Sequence, residues 1–380
     1  VRVAVNTRFL RPGELEGIGY FTREICRRLP ELLPAAEWLY CFDRPFDPVL
    51  TADPRVTGRA IFPPARDPIL WKLWFDYALP RAVRAWEADV VLHLDGYCSL
   101  RTSVPQVMVT HDIAHVHYPN EIPRRARAYY RRTVPRFLDR AARILTVSEY
   151  VRGDIQRVYG VPGEKIALTC NGVRPEFRPL SAEERTRARD DFADGSAYFF
   201  YLGAIHPRKN VARLIRAYNG FRAGGGPPVR LVLGGRMAWQ TGAIERAYAD
   251  SPFRSDIVFL GYLPEDALVR ALGGALALVY PSLSEGFGVP LLEAMHAGVP
   301  IVTSNTSSLP EVAGSAAVFV DPRRESSITE GLTRIAEDPA LAASLVAAGH
   351  ARKDVYSWDR AAAAVAEQLA AVAGGVGPGA

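Results

Sequence analysis

Ser284-Glu285-Gly286-Phe287-Gly288-Val289-Pro290-Leu291-Leu292-Glu293 follows the apolar run Leu276 to Val279 and opens a helix. The order of strand, glycine-punctuated loop and helix start is that of an α/β unit. Gly286 and Gly288 let the backbone approach a ligand closely and take angles that a side chain forbids. Pro290 suits the first turn, where its missing N–H costs nothing. Free N–H groups and the positive dipole end at that point favour an anion. Glu285 stands in the loop and Glu293 in the first turns of the helix. Two carboxylates beside an anion site suit a ligand with hydroxyls at both ends, and a nucleotide-sugar is such a ligand.

Working outward, short β-branched runs alternate with longer amphipathic segments. Val1–Val5, Val90–Leu94, Gln106–Thr110 and Ile144–Val147 read as strands in the first half, with helices over Gly17–Leu29, Ile69–Arg84, Pro123–Ala142 and Glu149–Tyr159. In the second half the strands are Tyr198–Leu202, Val229–Leu233, Ile257–Phe259, Leu276–Val279 and Ile301–Thr303. The helices are Asn210–Phe221, Ala243–Asp250, Glu265–Leu272 and Pro290–Ala297. Such alternation implies parallel sheets covered on both faces. A chain of 380 residues exceeds what one core organises. The Pro175-Glu176-Phe177-Arg178-Pro179 break, followed by the charged stretch Ser181 to Asp191, reads as a linker. The expectation is two doubly wound domains, 1–175 and 176–358, facing a cleft, with the alanine-rich helix 359–372 returning to the first.

Composition narrows the function. The net charge of +5 is mild for this length, though unevenly distributed, and does not suggest a dedicated nucleic-acid binder. Cys26, Cys41, Cys98 and Cys170 are scattered, without C-x-x-C spacing, which argues against a zinc site or a disulfide framework and fits a reducing compartment. The chain opens on an apolar strand, with no basic-then-apolar leader and no run long enough to span a bilayer. The expected location is cytoplasmic, extending to peripheral contact with the inner membrane face.

Four further constellations carry chemistry. Gly203-Ala204-Ile205-His206-Pro207-Arg208-Lys209-Asn210 delivers two adjacent cations after a strand, a clamp for a diphosphate in which Arg208 offers a planar fork and Lys209 a point charge. Gly17-Ile18-Gly19 precedes a long helix as a glycine turn, but lacks the full G-x-G-x-x-G of a dinucleotide site. His111-Asp112 follows a strand, with His115 and His117 nearby, and His111 is the preferred cleft residue over a metal ligand. Arginines 124 to 143, interleaved with Tyr129, Tyr130 and Phe137, form a basic aromatic helix suited equally to a membrane surface, an acidic acceptor or its own sheet.

Taken together, these residues resemble the family-four retaining glycosyltransferases of the two-domain GT-B fold. The resemblance runs through Gly17-Ile18-Gly19, His111-Asp112, Thr146-Val147-Ser148-Glu149, Asn171-Gly172-Val173, His206 to Asn210, Glu285 to Glu293 and Ser304 to Val312. It implies transfer of a hexose from a nucleotide-sugar with retention at the anomeric carbon, with no metal and no cofactor, the nucleotide-sugar being a substrate. Glu285 would contact the donor sugar and Glu293 the ribose hydroxyls. Amides around Phe287, Gly288 and Val289, with Leu291 beside them, would line the donor. Arg208 and Lys209 would stabilise the diphosphate, Gly17 and Gly19 would close on it, and His111 would lie by a glycan or lipid-linked acceptor. Many members carry an arginine after the strand-ending glycine, where this chain has Ala204. The His-Pro-Arg-Lys-Asn form resembles the bacterial mannosyltransferase branch and favours GDP-mannose. A UDP-sugar transferase, an epimerase on the same fold and a non-catalytic sugar-nucleotide-binding subunit are the alternatives.

Overall fold

The computed structural model describes residues 1–11 and 17–374. They form two compact units: Val1–Asn171 together with the chain from Ser357 onward, and Gly172–Tyr356.

The first unit is built on a seven-stranded parallel sheet in the order β3-β2-β1-β4-β5-β6-β7. Its strands are β1 Arg2–Asn6, β2 Glu37–Phe42, β3 Val56–Ala60, β4 Val90–His93, β5 Gln106–Thr110, β6 Arg143–Thr146 and β7 Ile166–Leu168. The second unit has six, β8 Tyr198–Leu202, β9 Arg230–Gly234, β10 Ile257–Gly261, β11 Ala277–Tyr280, β12 Ile301–Ser304 and β13 Ala317–Val320, in the order β10-β9-β8-β11-β12-β13. All pairings are parallel. The central strands therefore carry apolar residues in succession through their middles rather than alternating, with polar residues at their ends. Val3 to Val5 and Tyr198 to Tyr201 are buried along their whole length.

The sequence reading omits β2, β3, β7 and β13. Glu37-Trp38-Leu39-Tyr40-Cys41-Phe42 carries the bulky residues of a strand, whereas β3 is an edge strand with a glycine and an arginine in it, and half of it faces water. The helix expected over Ile69–Arg84 is interrupted. Asp67 caps Pro68–Leu73, a π-helical turn occupies Trp74–Ala78, and the helix resumes over Leu79–Ala85. Pro80 is the reason: in an unbroken helix its ring would clash with the carbonyl of Asp76. The Leu79 N–H bonds the Trp74 carbonyl five residues back, opening the space. The Trp358–Gly374 helix belongs to the first unit and packs on the Gly17–Leu32 helix and on β4, β5 and β6. Thr169 Oγ1 donates to its Ala361 carbonyl at 3.1 Å.

At the end of β9, Gly235 has φ +140° and donates its N–H to the Gly261 carbonyl at 2.7 Å. A Cβ there would stand 1.9 Å from the Gly203 carbonyl oxygen, so two strand-end turns meet backbone to backbone. Gly235→Ala is expected to cost at least about 2 kcal/mol through strain and collision. Gly153→Ala, inside the Glu149–Tyr159 helix with open space around it, is expected to raise stability by about 0.5–1 kcal/mol. Thermal unfolding of both variants beside wild type checks the pair.

Candidate active site

In the second unit, β8 and β11 are neighbours at the point where strand order reverses. Open α/β sheets bind ligands at such points, outside the carboxyl ends of the strands. After β8 the chain turns at Gly203 and forms a single helical turn over Pro207–Lys209. Asn210 fixes that turn. It takes a left-handed φ of 64° and donates from Nδ2 to the carbonyls of Pro281 at 3.0 Å and Pro322 at 2.7 Å. Lys209 is thereby aimed across to the loop that follows β11. Its Nζ lies 2.6 Å from Glu285 Oε1 and 2.7 Å from the Tyr280 hydroxyl, which itself donates to Glu285 Oε1 at 2.8 Å. Arg208 is held alongside by its backbone, whose carbonyl accepts from Leu283 N at 2.9 Å.

Serines following β12 hold the Glu285 loop. Ser308 Oγ lies 3.0 and 2.9 Å from the carbonyl oxygens of Glu285 and Phe287, and Ser307 Oγ accepts from Glu285 N at 3.1 Å. Gly288 takes φ +102°, and a Cβ on it would meet Leu309 Cδ2 at 2.6 Å. That angle turns the chain into the Val289–Ala297 helix. Phe287 and Leu291 are buried, Phe287 edge-on to Tyr356 at 5.2 Å, so their side chains shape the loop from within. Glu293, one turn into the helix, is paired with Arg174 at 2.7 Å. Arg174 also reaches Glu265 at 3.7 Å and lies 4.8 Å over the Phe177 ring.

The two glutamates are tuned in opposite directions. Burial pushes the Glu285 carboxyl up, but Lys209 and Arg208 outweigh it and hold the group below its ordinary value. At Glu293 burial wins over Arg174, and the neighbouring Glu265 charge adds to it, so this carboxyl is raised. His206, stacked on Trp239 at 4.4 Å, is lowered to about 4 by burial and then by Lys209 and Arg208, which keeps it neutral beside the cations. Arg236 adds to that positive field from the segment paired with Ile205.

In the first unit, Gly17 opens its helix exposed and Gly19 is buried in the first turn. His111 follows β5, donates from Nε2 to the Leu94 carbonyl at 2.9 Å, and meets the edge of Phe21 at 4.8 Å. Burial lowers its pKa, leaving a neutral imidazole near neutral pH. His115 and His117 turn elsewhere, to the Tyr159 hydroxyl and to Asp154. Among the described residues, no three His, Cys, Asp or Glu side chains converge as metal ligands.

Sequence reasoning singled out Glu285, Glu293, Arg208 and Lys209 but missed Tyr280, Arg174 and Ser308, which orient them. Tyr280 ends β11 like any apolar strand residue, and its hydroxyl is revealed only by what it touches. Arg174 follows directly on Asn171-Gly172-Val173, a signal available but unread.

Lys209 and Glu285 side chains are 13% and 10% exposed, so removing one strands a buried charge. Lys209→Met and Glu285→Gln are each expected to cost about 3 kcal/mol, and the double variant less than their sum. The lowered pKa of Glu285 makes its contribution full above the ordinary glutamate value of 4.5 and lost as pH falls through the lower folded value. Unfolding of wild type and Glu285→Gln between pH 3 and 7 is expected to show the stability gap closing toward the acid end.

Comparison with known proteins places this geometry. The Glycosyltransferase Family 4 profile matches residues 15–177, and the Glycosyl transferases group 1 profile matches residues 182–352. The chain is 32% identical over 254 residues to O-antigen chain mannosyltransferase B of Escherichia coli, covering 67% of each. It is 27% identical to O-antigen chain mannosyltransferase RfbU of Salmonella typhimurium, over 64% of this chain and 65% of that one. The matches thus span about two thirds of these relatives. WaaG, a solved glycosyltransferase involved in lipopolysaccharide biosynthesis, superposes with a TM-score of 0.76 at 15% identity, over 97% of this chain and 99% of that one. The chain belongs to the family 4 glycosyltransferases, with the two-domain GT-B fold.

Proposed function

We propose that the chain is a retaining mannosyltransferase that moves mannose from GDP-mannose to a glycan or lipid-linked glycan acceptor. The observation that carries the reading is Lys209 held 2.6 Å from the buried Glu285, beside Arg208, at the switch point of the second unit. This arrangement suits departure of a nucleoside diphosphate. As the bond from the anomeric carbon to the diphosphate oxygen breaks, negative charge grows on the β-phosphate, where Arg208 and Lys209 stabilise it. The acceptor oxygen bonds to the anomeric carbon from the same face, its proton passes to the departing phosphate, and configuration is retained. Glu285 contacts the sugar and, through its pairing, keeps Lys209 oriented. Glu293 takes the ribose hydroxyls. Phe287, Gly288 and Val289 present backbone to the sugar, Gly17 and Gly19 to the diphosphate, and His111 sits by the acceptor. Mannose is favoured because the relatives named above are mannosyltransferases.

The lipid-linked form of the acceptor draws support from the surface. Arg124, Arg125, Arg127, Arg131, Arg132 and Arg136 are all exposed on the Arg124–Arg140 helix. Ile69 and Leu73 are exposed on the neighbouring Pro68–Leu73 helix, Ile69 by 71%. Basic and apolar side chains together suit an anionic bilayer surface. Among the described residues no helix is long and apolar enough to cross a membrane.

A thermal-shift panel of GDP, UDP, ADP and their hexose conjugates, without metal, tests the donor; GDP and GDP-mannose are expected to raise the melting temperature most. Glu293→Ala is expected to weaken nucleotide binding about ten-fold or more. Lys209→Ala is expected to lower kcat about a hundred-fold. NMR of the first product formed reads retention directly, and an inverted anomer would sink the mechanism. Vesicles of anionic lipid, and not of neutral lipid, are expected to sediment the protein, with Arg131→Glu/Arg132→Glu reducing the bound fraction.

A further inference from the structure

The first unit has a reversal of strand order of its own, between β1 and β4. A cavity of about 420 Å³ opens there, lined by residues that follow β1, β2, β3 and β4. Its volume falls within the range of small-molecule sites, roughly 300–1,000 Å³. Four arginines, Arg8, Arg11, Arg44 and Arg66, line it against a single carboxylate, Asp95. Arg8 is spoken for: it is buried, its Nε is 2.5 Å from Asp95 Oδ2, and its guanidinium lies 4.3 Å over the Tyr97 ring. Arg44 forks onto buried Asp43 at 2.6 and 2.9 Å and still reaches the cavity. Arg11 and Arg66 are exposed, and neither pairs with an acidic side chain among the described residues. Among the described residues that line it, the cavity therefore keeps a surplus of positive charge.

Its remaining wall is aromatic and already ordered. Trp71 stacks on Tyr130 at 5.7 Å and donates from Nε1 to the Ala65 carbonyl at 3.0 Å. Tyr97 donates its hydroxyl to that of Tyr130 at 2.9 Å and stacks on Phe75 at 5.0 Å. Tyr97 is covered by Phe75 and by Arg8, so the half-buried Trp71–Tyr130 pair is what can take the C–H face of a pyranose, while guanidinium forks take phosphate or carboxylate oxygens. Ile18 also lines the cavity, which brings the Gly17-Ile18-Gly19 turn to it.

We infer that this cavity binds an oxyanion-bearing sugar of the acceptor, the rings holding the pyranose and Arg11, Arg44 and Arg66 holding a phosphate or carboxylate attached to it. The role as acceptor rests on the transferase reading above, whereas binding of an anionic sugar can be measured without it. The oxyanion has two sources, a charged substituent on a glycan residue or the diphosphate that links a glycan to a lipid.

Calorimetric titration of the full chain tests this with methyl α-mannoside, mannose 6-phosphate, glucuronic acid and a water-soluble short-chain prenyl diphospho-mannose. At least one charged probe is expected to bind about ten-fold or more tighter than the neutral glycoside, with affinity falling as salt rises. Binding of the sugar phosphate or uronate assigns the oxyanion to a glycan substituent. Binding of the prenyl compound alone assigns it to the lipid linkage. Arg66→Gln, on an exposed side chain, is expected to lose about ten-fold toward the charged probe and Arg66→Lys to keep part of the preference. Arg44→Gln adds a second reading if its melting temperature stays near wild type. Equal binding of charged and neutral sugars, indifference to Arg66→Gln, or displacement of the charged probe by GDP at the same site would overturn the inference. Nucleotide shifts on wild type separate the two proposals. Nucleotide binding without charged-sugar binding leaves the transferase reading standing and removes the cavity's role, and the reverse removes the transferase reading and the acceptor role with it, leaving an anionic-sugar site.

Discussion

A carboxylate taken out of water must be paired, and Glu285, after β11, is paired with a lysine from the turn after β8. That requirement organises the second unit. Lys209 reaches Glu285 only because Asn210 pins the turn after β8 to the carbonyls of Pro281 and Pro322, which follow β11 and β13. Glu285 meets Lys209 only because Ser307 and Ser308 hold its loop by the backbone. The geometry of the sheet, the caps of two turns and the hydroxyls after β12 converge on one ion pair. A buried pair gives little net stability over an apolar substitute. Core stability alone therefore does not account for a buried ion pair at a strand-order reversal.

Most of this was legible in the sequence wherever residue type alone decides the outcome. Apolar runs such as Tyr198–Leu202 announced central parallel strands, and Gly288-Val289-Pro290 announced a helix start. Edge strands did not announce themselves. Val56-Thr57-Gly58-Arg59-Ala60 owes its conformation to pairing with β2, a contact between segments and not a property of either. Pro80 was visible, yet its effect, a π-helical turn and not a kink or a stop, depends on Trp74 and Phe75 being buried on either side of any compromise. In the site, charged residues in a glycine loop were legible and their orienting partners were not. Tyr280 and Ser308 carry ordinary hydroxyls whose importance is set by position to within an ångström.

Opposite tuning of the two glutamates follows from their counter-charges. Glu285 faces two cations on one loop and stays ionised in spite of burial. Glu293 has one arginine, shared with Glu265, and burial prevails. An ionised Glu285 can orient a cation and accept hydrogen bonds from sugar hydroxyls. A carboxyl whose charged form is penalised in the free protein gains most from donors that arrive with a ligand, since each hydroxyl pointed at Glu293 offsets the cost of its charge. The same burial that strains Glu293 alone makes it a good receiver for a diol.

Both units repeat one device. In the second, a cation after β8 meets a carboxylate after β11; in the first, Arg8 after β1 meets Asp95 after β4. In each case the two strands are the adjacent pair at which strand order turns back, so the helices on either side diverge and leave a crevice. A crevice between strand ends exposes backbone ends that want polar partners, and a paired cation and carboxylate supply them. The difference lies in what surrounds the pair. Around Lys209 one ring is in reach, Tyr280, 5.1 Å from the ammonium and offering it a hydroxyl at 2.7 Å. Around Arg8 there are Phe9, Tyr97 and Phe75, three rings that lock the guanidinium in place.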